Sequence, residues 1–279
     1  MEIKCWGSRG SISVSGKEFI KYGGSTTCLE VTAGSGETII LDAGTGIRKL
    51  GSDPVAGDKK KYYLLFTHVH WDHISGFPFF KPLLEKNRSI EIQNNVFLKL
   101  TIKEILDYLM SSPFFPVTME AFKATRTFRD DLTGCFTIGS IDIETIPLSH
   151  PGGGYGYKLT ENNKTFIFLT DNELGFDHPF SNGFNSFLNF CTGADILFHD
   201  AEFTPEEYPS KTGWGHSSYK ELLDLAVKAK VKQLGLFHIN QERTDIEMDN
   251  IVTRCRKILK QKKSSLDCFG VAAGMHFKL

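Results

Sequence analysis

The chain has 279 residues, 41% hydrophobic and 23% charged, which is enough length and apolar content for a large globular core. A formal charge of -1 argues against a polybasic nucleic-acid scaffold or a membrane-surface protein. The opening "MEIKCWGSRG" turns polar at once and no apolar run approaches a membrane span, so a cytoplasmic protein without a membrane partner is expected. The six cysteines are scattered without a CxxC pair and read as reduced, mostly buried thiols.

In chain order, "CLEVTAGSGETIILDAG" reads as a strand hairpin that ends at Asp42. Further short apolar runs each end in a ligand-capable residue. "KYYLLFTH" ends at His68, "KTFIFLTD" at Asp171, "ADILFHD" at His199 and Asp200, and "KQLGLFH" at His238. Runs of this kind suit strands buried on both faces. Between them a helix is expected over Val96–Met110, burying Leu98, Ile102, Ile105 and Leu109. Ser218 with Glu221, and Thr244 with Glu247, are capping boxes that open two more helices. The first, Tyr219–Val231, turns Leu222, Leu223, Ala226 and Val227 inward; the second, to about Lys260, turns in Ile251, Cys255, Ile258 and Leu259. Buried strands mixed with amphipathic helices predict an α/β fold with helices on both outer faces of sheet layers. Strands lying side by side would bring Asp42, His68, Asp171, Asp200 and His238 to one edge.

The densest signal is "THVHWDH". On an extended strand His68 and His70 point the same way and can grip one ion. After the chain turns, Asp72 and His73 can face a second ion. Imidazole and carboxylate suit zinc, with manganese, iron or nickel also compatible.

This motif resembles the signature of the metallo-β-lactamase superfamily, and the resemblance covers nearly the whole chain. It implies a four-layer αββα sandwich formed by one domain, 1–279, and the segment at about 76–135 reads as an insertion that roofs the active site or packs as core. It also implies two divalent metals, zinc first, with manganese or iron as alternatives. One metal takes His68, His70 and His150 of "TIPLSHPGG"; the other takes Asp72, His73 and His238. Asp171 bridges them, and Asp42 orients a histidine ligand from behind. His70 stands where the flavodiiron branch carries Glu, and Asp171 where the β-lactamases carry Cys, so neither of those activities is expected.

"GWGHSSYKE" resembles the ribonuclease Z and phosphodiesterase branch, which implies that His216 is an active-site group rather than a ligand, oriented by Asp200. In that branch a long arm that grips tRNA lies between the equivalents of His150 and Asp171. Here only 21 positions separate them, so no tRNA substrate is expected. The resemblance further implies catalytic roles for Asp72, His216 and Asp200, a phosphate contact from Arg243, and a site lining from Gly23, Gly24, Ser25 and Thr26 of the glycine-rich opening, while Gly152 and Gly153 after His150 let the backbone approach the metals and substrate closely. A homodimer is suggested in the same way. The expected activity is hydrolysis of a small phosphodiester, a cyclic nucleotide or cyclic phosphate. A carboxyl-ester, lactone or thioester hydrolase on the same metals is the alternative, and a non-catalytic metal-holding sensor a more distant one. "GFPFFKP" and "SSPFFPV" are read as aromatic-proline loops that roof the site, stack on a base, contact a second copy or pack as core. His178, His199 and His276 are read as structural.

Overall fold

The structure is a computed structural model that describes residues 1–93 and 100–279. Among these residues the strands form two seven-stranded sheets. The first holds β1 (Glu2–Gly7), β2 (Cys28–Thr32), β3 (Thr38–Leu41), β4 (Lys61–Leu65), β5 (Ser89–Gln93), β6 (Thr125–Arg129) and the C-terminal β14 (His276–Lys278), in the order β14-β1-β2-β3-β4-β5-β6. The second holds β7 (Cys135–Ile138), β8 (Ile141–Pro147), β9 (Tyr155–Glu161), β10 (Lys164–Leu169), β11 (Ile196–Asp200), β12 (Gln233–Phe237) and β13 (Asp267–Gly270), in reverse chain order.

The inner faces of both sheets share one core, in which Ile3, Leu29, Val31 and Leu41 meet Tyr157, Phe166, Phe168 and Phe198. The outer face of the second sheet is covered by α4 (Phe184–Cys191), α5 (Tyr219–Lys228) and α6 (Asp245–Gln261), which bury Leu222, Leu225, Ile251 and Cys255 against it. The outer face of the first sheet carries α1 (Ile47–Leu50), the short α2 (Trp71–Ile74) and α3 (Ile102–Leu109). The architecture is therefore the expected αββα sandwich, with apolar side chains removed from water on both faces of each sheet. All six cysteines are free and only Cys135 is exposed. No helix among the described residues is long and apolar enough to cross a membrane.

Both expected capping boxes close, Ser218/Glu221 on α5 and Thr244/Glu247 on α6, and a third, Thr101/Glu104, opens α3. Two inward faces differ from expectation. On α5 Leu225 is fully buried while Val227 is half-exposed, and on α3 the deep contacts are Ile102 and Leu106, with Ile105 and Leu109 only half-buried. Val96–Leu98, where that helix was expected to begin, lies outside the described residues. Segment 76–135 contributes β5 and β6 to the sheet. Its aromatic-proline loops divide: Phe77 and Phe80 are core, whereas Phe79 and Phe114 are exposed. Between His150 and Asp171 lie one tight turn and the β9–β10 hairpin, whose Asn162–Asn163 corner has φ of 51° and 61°.

Parallel pairing sets the site. β3 runs parallel to β4, and β10, β11 and β12 run parallel to one another, with Phe166 opposite Ile196 and Ile196 opposite Gln233. Their carboxyl ends gather on one edge of the sandwich.

Candidate metal centre

Three of the strand-end residues leave their strands abruptly. Asp42, Asp171 and His238 have φ of 63°, 53° and 51°, a left-handed conformation unfavourable to side chains with a Cβ. Holding three such residues costs about 1–3 kcal/mol apiece, which the surrounding packing must offset. The motif histidines depart from expectation in their local setting. β4 ends at Leu65, so His68 and His70 lie on the loop beyond the strand, and His70 is the N-cap of α2. Asp72 and His73 then occupy the first turn of that helix.

The loop nevertheless brings the seven expected ligands together in two groups. His68, His70, His150 and Asp171 form one; Asp72, His73, His238 and Asp171 form the other, so Asp171 belongs to both. Asp171 Oδ2 lies 3.5 Å from His68 Nε2, 3.3 Å from His238 Nε2 and 4.0 Å from His150 Nε2, while its Oδ1 lies 3.3 Å from His73 Nε2. Asp72 Oδ2 is 3.2 Å from His73 Nε2 and 3.0 Å from His238 Nε2. A tetrahedral centre with bonds near 2.1 Å has donor–donor edges of about 3.4 Å, so these spacings fit shared cations.

The outward nitrogens select the ring face that points inward. His73 Nδ1–H donates to Asp42 Oδ2 at 2.8 Å, and His238 Nδ1–H to Glu202 Oε2 at 2.9 Å. His150 Nδ1–H donates to the Gly215 carbonyl at 3.1 Å. The Thr67 hydroxyl gives its proton to Asp42, 2.7 Å away, and so accepts from His68 Nδ1–H at 3.1 Å. Every one of these bonds leaves Nε2 as a lone pair facing the centre. His68 Nε2 and His73 Nε2 are buried with no hydrogen-bond partner, and His150 Nε2 lies 3.0 Å from His70 Nδ1. Lone pairs converging in a buried space need a cation. The donor set is that of a divalent metal centre.

Electrostatics agree. Burial would raise the Asp72 and Asp171 carboxyls, but the facing imidazoles, chiefly His73 for Asp72 and His238 for Asp171, drive both well below the usual range. His73 and His238 are raised well above theirs, because Asp72 and Asp171 outweigh the cost of burial. Two glycines permit the crowding: a Cβ on Gly10 would lie 2.3 Å from the His238 ring, and one on Gly215 2.1 Å from the His150 ring.

His216 stands beside the ligands, its ring stacked on His238 with centroids 4.8 Å apart. Its buried Nδ1 faces Glu202 Oε2 at 3.4 Å and Asp200 Oδ2 at 3.7 Å, without a hydrogen bond to either. Burial lowers its pKa, but Glu202 and then Asp200 overcome this and push it up to about 9. Asp200 spends its oxygens on the backbone N–H groups of Asn172 and Ser217, at 2.8 and 3.0 Å. The nearer carboxylate to His216 is thus Glu202, which the sequence reading did not single out. Glu173 was also missed. It accepts from Gly213 N–H, Gly215 N–H, the Tyr208 hydroxyl and His178 Nε2–H, so it fixes the loop on which His150 leans.

The residues expected to contact substrate fare less uniformly. Arg243 is held by Glu207 at 2.7 and 3.0 Å. Gly152 and Gly153 form the turn after His150, with φ of 83° and 76°, and Gly153 N–H returns to the His150 carbonyl. Ser25 receives Arg9 N–H on its carbonyl, and it is Thr26, beside it, that lines a hollow with Asp72. The wholly buried Arg9 donates to the carbonyls of Gly23, Asn240 and Arg243, which ties the N-terminal loop to the segment after His238. His178 and His199 are buried and hydrogen-bonded to Glu173 and Asn172, and His276 pairs with Glu2 on the surface.

A family model described as "Beta-lactamase superfamily domain" matches residues 37–239. The chain belongs to the beta-lactamase superfamily. That span runs from β3 to the residue after His238 and includes all seven clustered side chains. Within the superfamily, the ribonuclease Z of Oceanobacillus iheyensis is 21% identical over 84% of this chain and 89% of its own length. The metallo-beta-lactamase fold protein YhfI from Bacillus subtilis superposes with a TM-score of 0.72 at 17% identity, over 99% of this chain and 98% of its own. A diphosphatase from the PhnP family gives 0.67 at 16% identity, over 100% and 97%.

Proposed function

We propose that this superfamily member is a hydrolase with two divalent metals, zinc first and manganese or iron as alternatives, that cleaves a small phosphodiester such as a cyclic nucleotide or cyclic phosphate. His68, His70 and His150 hold one metal, Asp72, His73 and His238 the other, and Asp171 both. When bound, the metals supply Lewis acidity toward the phosphoryl oxygens and lower the pKa of a water. Asp72 is fixed for its role by Ser11 N–H at 2.8 Å as well as by the histidines.

The observation that carries the reading is His216. It is an imidazole beside the ligands that neither of the two groups sharing Asp171 includes; with Glu202 and His238 it forms a third cluster, in which the two carboxylates Glu202 and Asp200 push its pKa up to about 9 in the metal-free chain. Its Nε2 has no protein partner among the described residues. Such a group can bind a phosphoryl oxygen and then give its proton to the leaving oxygen as the phosphorus–oxygen bond breaks, while the water oxygen bonds to phosphorus. Arg243 is engaged by Glu207, so His216 and the metals carry the anion between them. The hairpin that stands between His150 and Asp171 favours a small substrate over tRNA.

Purified protein loaded with zinc, manganese or iron is expected to hydrolyse bis-p-nitrophenyl phosphate and at least one of the 2′,3′- and 3′,5′-cyclic nucleotides. Inactivity on all of them, with turnover of p-nitrophenyl acetate, a lactone or a thioester, would move the protein to the ester hydrolases. Processing of precursor tRNA would contradict the substrate size.

A further inference from the structure

Of the residues in the two ligand groups, His70 alone is exposed. Its neighbours in the chain are Val69 and Trp71. With Ile74 they form one wall of a hollow of about 240 Å³, faced by Tyr108, Leu109 and Phe114. No charged side chain lines this hollow. Trp71 is 70% exposed, Tyr108 64% and Phe114 73%, three large aromatics left in water around one hollow. Isolated exposed aromatics are unremarkable, but a group that rims a hollow next to a reaction centre marks a binding surface. The same indole also borders a second hollow, where it meets Asp72 and the hydroxyl-bearing Ser11, Ser13, Thr26 and Ser75. The side-chain hydroxyls of Ser11, Ser13 and Ser75 have no hydrogen-bond partner among the described residues.

We propose that Trp71, with Tyr108 and Phe114, forms a base-stacking subsite that holds the planar aromatic part of a nucleotide phosphodiester against the metal centre. The inference rests on the phosphodiesterase reading and narrows it, from any small phosphodiester to one that carries a nucleobase. An uncharged, aromatic-walled hollow cannot favour a phosphate, whereas any nucleobase offers a π-face to an indole. The adjoining hollow supplies hydroxyl partners for a sugar, and the phosphate then falls at His70 and Asp72. A second copy of this chain could also cover exposed aromatics, but Trp71 also borders the hollow lined by the ligand Asp72, which favours the substrate.

Two diesters with the same leaving group separate the ideas: the p-nitrophenyl ester of thymidine 5′-phosphate and methyl p-nitrophenyl phosphate. The quantity read is the ratio of their kcat/KM values, so a general loss of activity cancels. Wild-type protein is expected to prefer the thymidine ester by tenfold or more. Trp71→Ala is expected to reduce that ratio about tenfold, Phe114→Ala to reduce it less, and Trp71→Phe to keep most of it. A separate binding arm uses indole fluorescence, which AMP should quench in wild-type protein and ribose 5-phosphate should not. Equal ratios in wild type and Trp71→Ala would overturn the proposal. So would a Trp71→Ala protein that changes oligomeric state while its ratio stays intact, because the patch would then be a subunit contact. If neither diester is cleaved, the phosphodiesterase reading fails, and AMP quenching alone decides whether the subsite exists.

Discussion

The two halves of the ligand cluster are supported differently. Behind the imidazoles of the Asp72–His73–His238 half stand carboxylates, Asp42 on His73 and Glu202 on His238, and all four members of this half are buried. Behind the His68–His70–His150 half stand a threonine hydroxyl and a backbone carbonyl, and His70 is open to solvent. A carboxylate behind an imidazole makes it more basic and fixes its orientation, so the first half should hold its metal more tightly. The second half, open at His70, is where substrate can displace solvent. One half anchors and the other exchanges.

The largest expected effect abolishes the comparison, because Asp171 serves both halves. Asp171→Ala should lose metal from both and leave no measurable hydrolysis; elemental analysis that still found two ions per chain would remove Asp171 from its shared role. Next come the carboxylates behind the tight half. Glu202→Gln or Asp42→Asn should weaken one of the two ions by about 10- to 100-fold and spare the other, as read by competition with a chromophoric chelator. Equal weakening of both ions would mean that the halves are not independent.

Proton linkage sharpens the same contrast. The carboxylates Asp72 and Asp171 raise His73 and His238 well above their ordinary value of 6.5, so a metal that binds these two rings competes with a proton there. His68 and His150 are lowered by burial, His150 to about 3, and have no proton to lose. Affinity of the tight half should therefore rise with pH until the raised pKa values of His73 and His238 are passed and level off above them, while the open half stays nearly flat across neutral pH. Calorimetry in buffers of different ionisation enthalpy would count the released protons. The smallest effect is kinetic: graded chelator should remove the ion at His68, His70 and His150 first.

The ligands were legible because each ends or follows a buried apolar run, where an imidazole or carboxylate has no bland explanation. Their supports were not. Glu202, Thr67 and Glu173 are ordinary polar residues in sequence, and they gain meaning only when the fold brings Glu202 to His238, Asp42 to Thr67 and Glu173 to the loop of Gly215. Arg243 is the converse, a cation read toward phosphate that Glu207 had already engaged. The "HVH" pair was expected to lie on a strand, and it works from a loop because α2 begins at once and redirects the backbone. The layers were readable for a simpler reason: burial on both faces of a strand leaves little choice but helices outside two sheets.

The central claim is that His216 takes part in the chemistry without holding a metal. The direct measurement is metal content and phosphodiester turnover of His216→Ala with an alkoxide leaving group, as in a 2′,3′-cyclic nucleotide. The account predicts two ions retained and turnover reduced by about 10²-fold or more. Turnover at the wild-type level, or the loss of an ion, would contradict it.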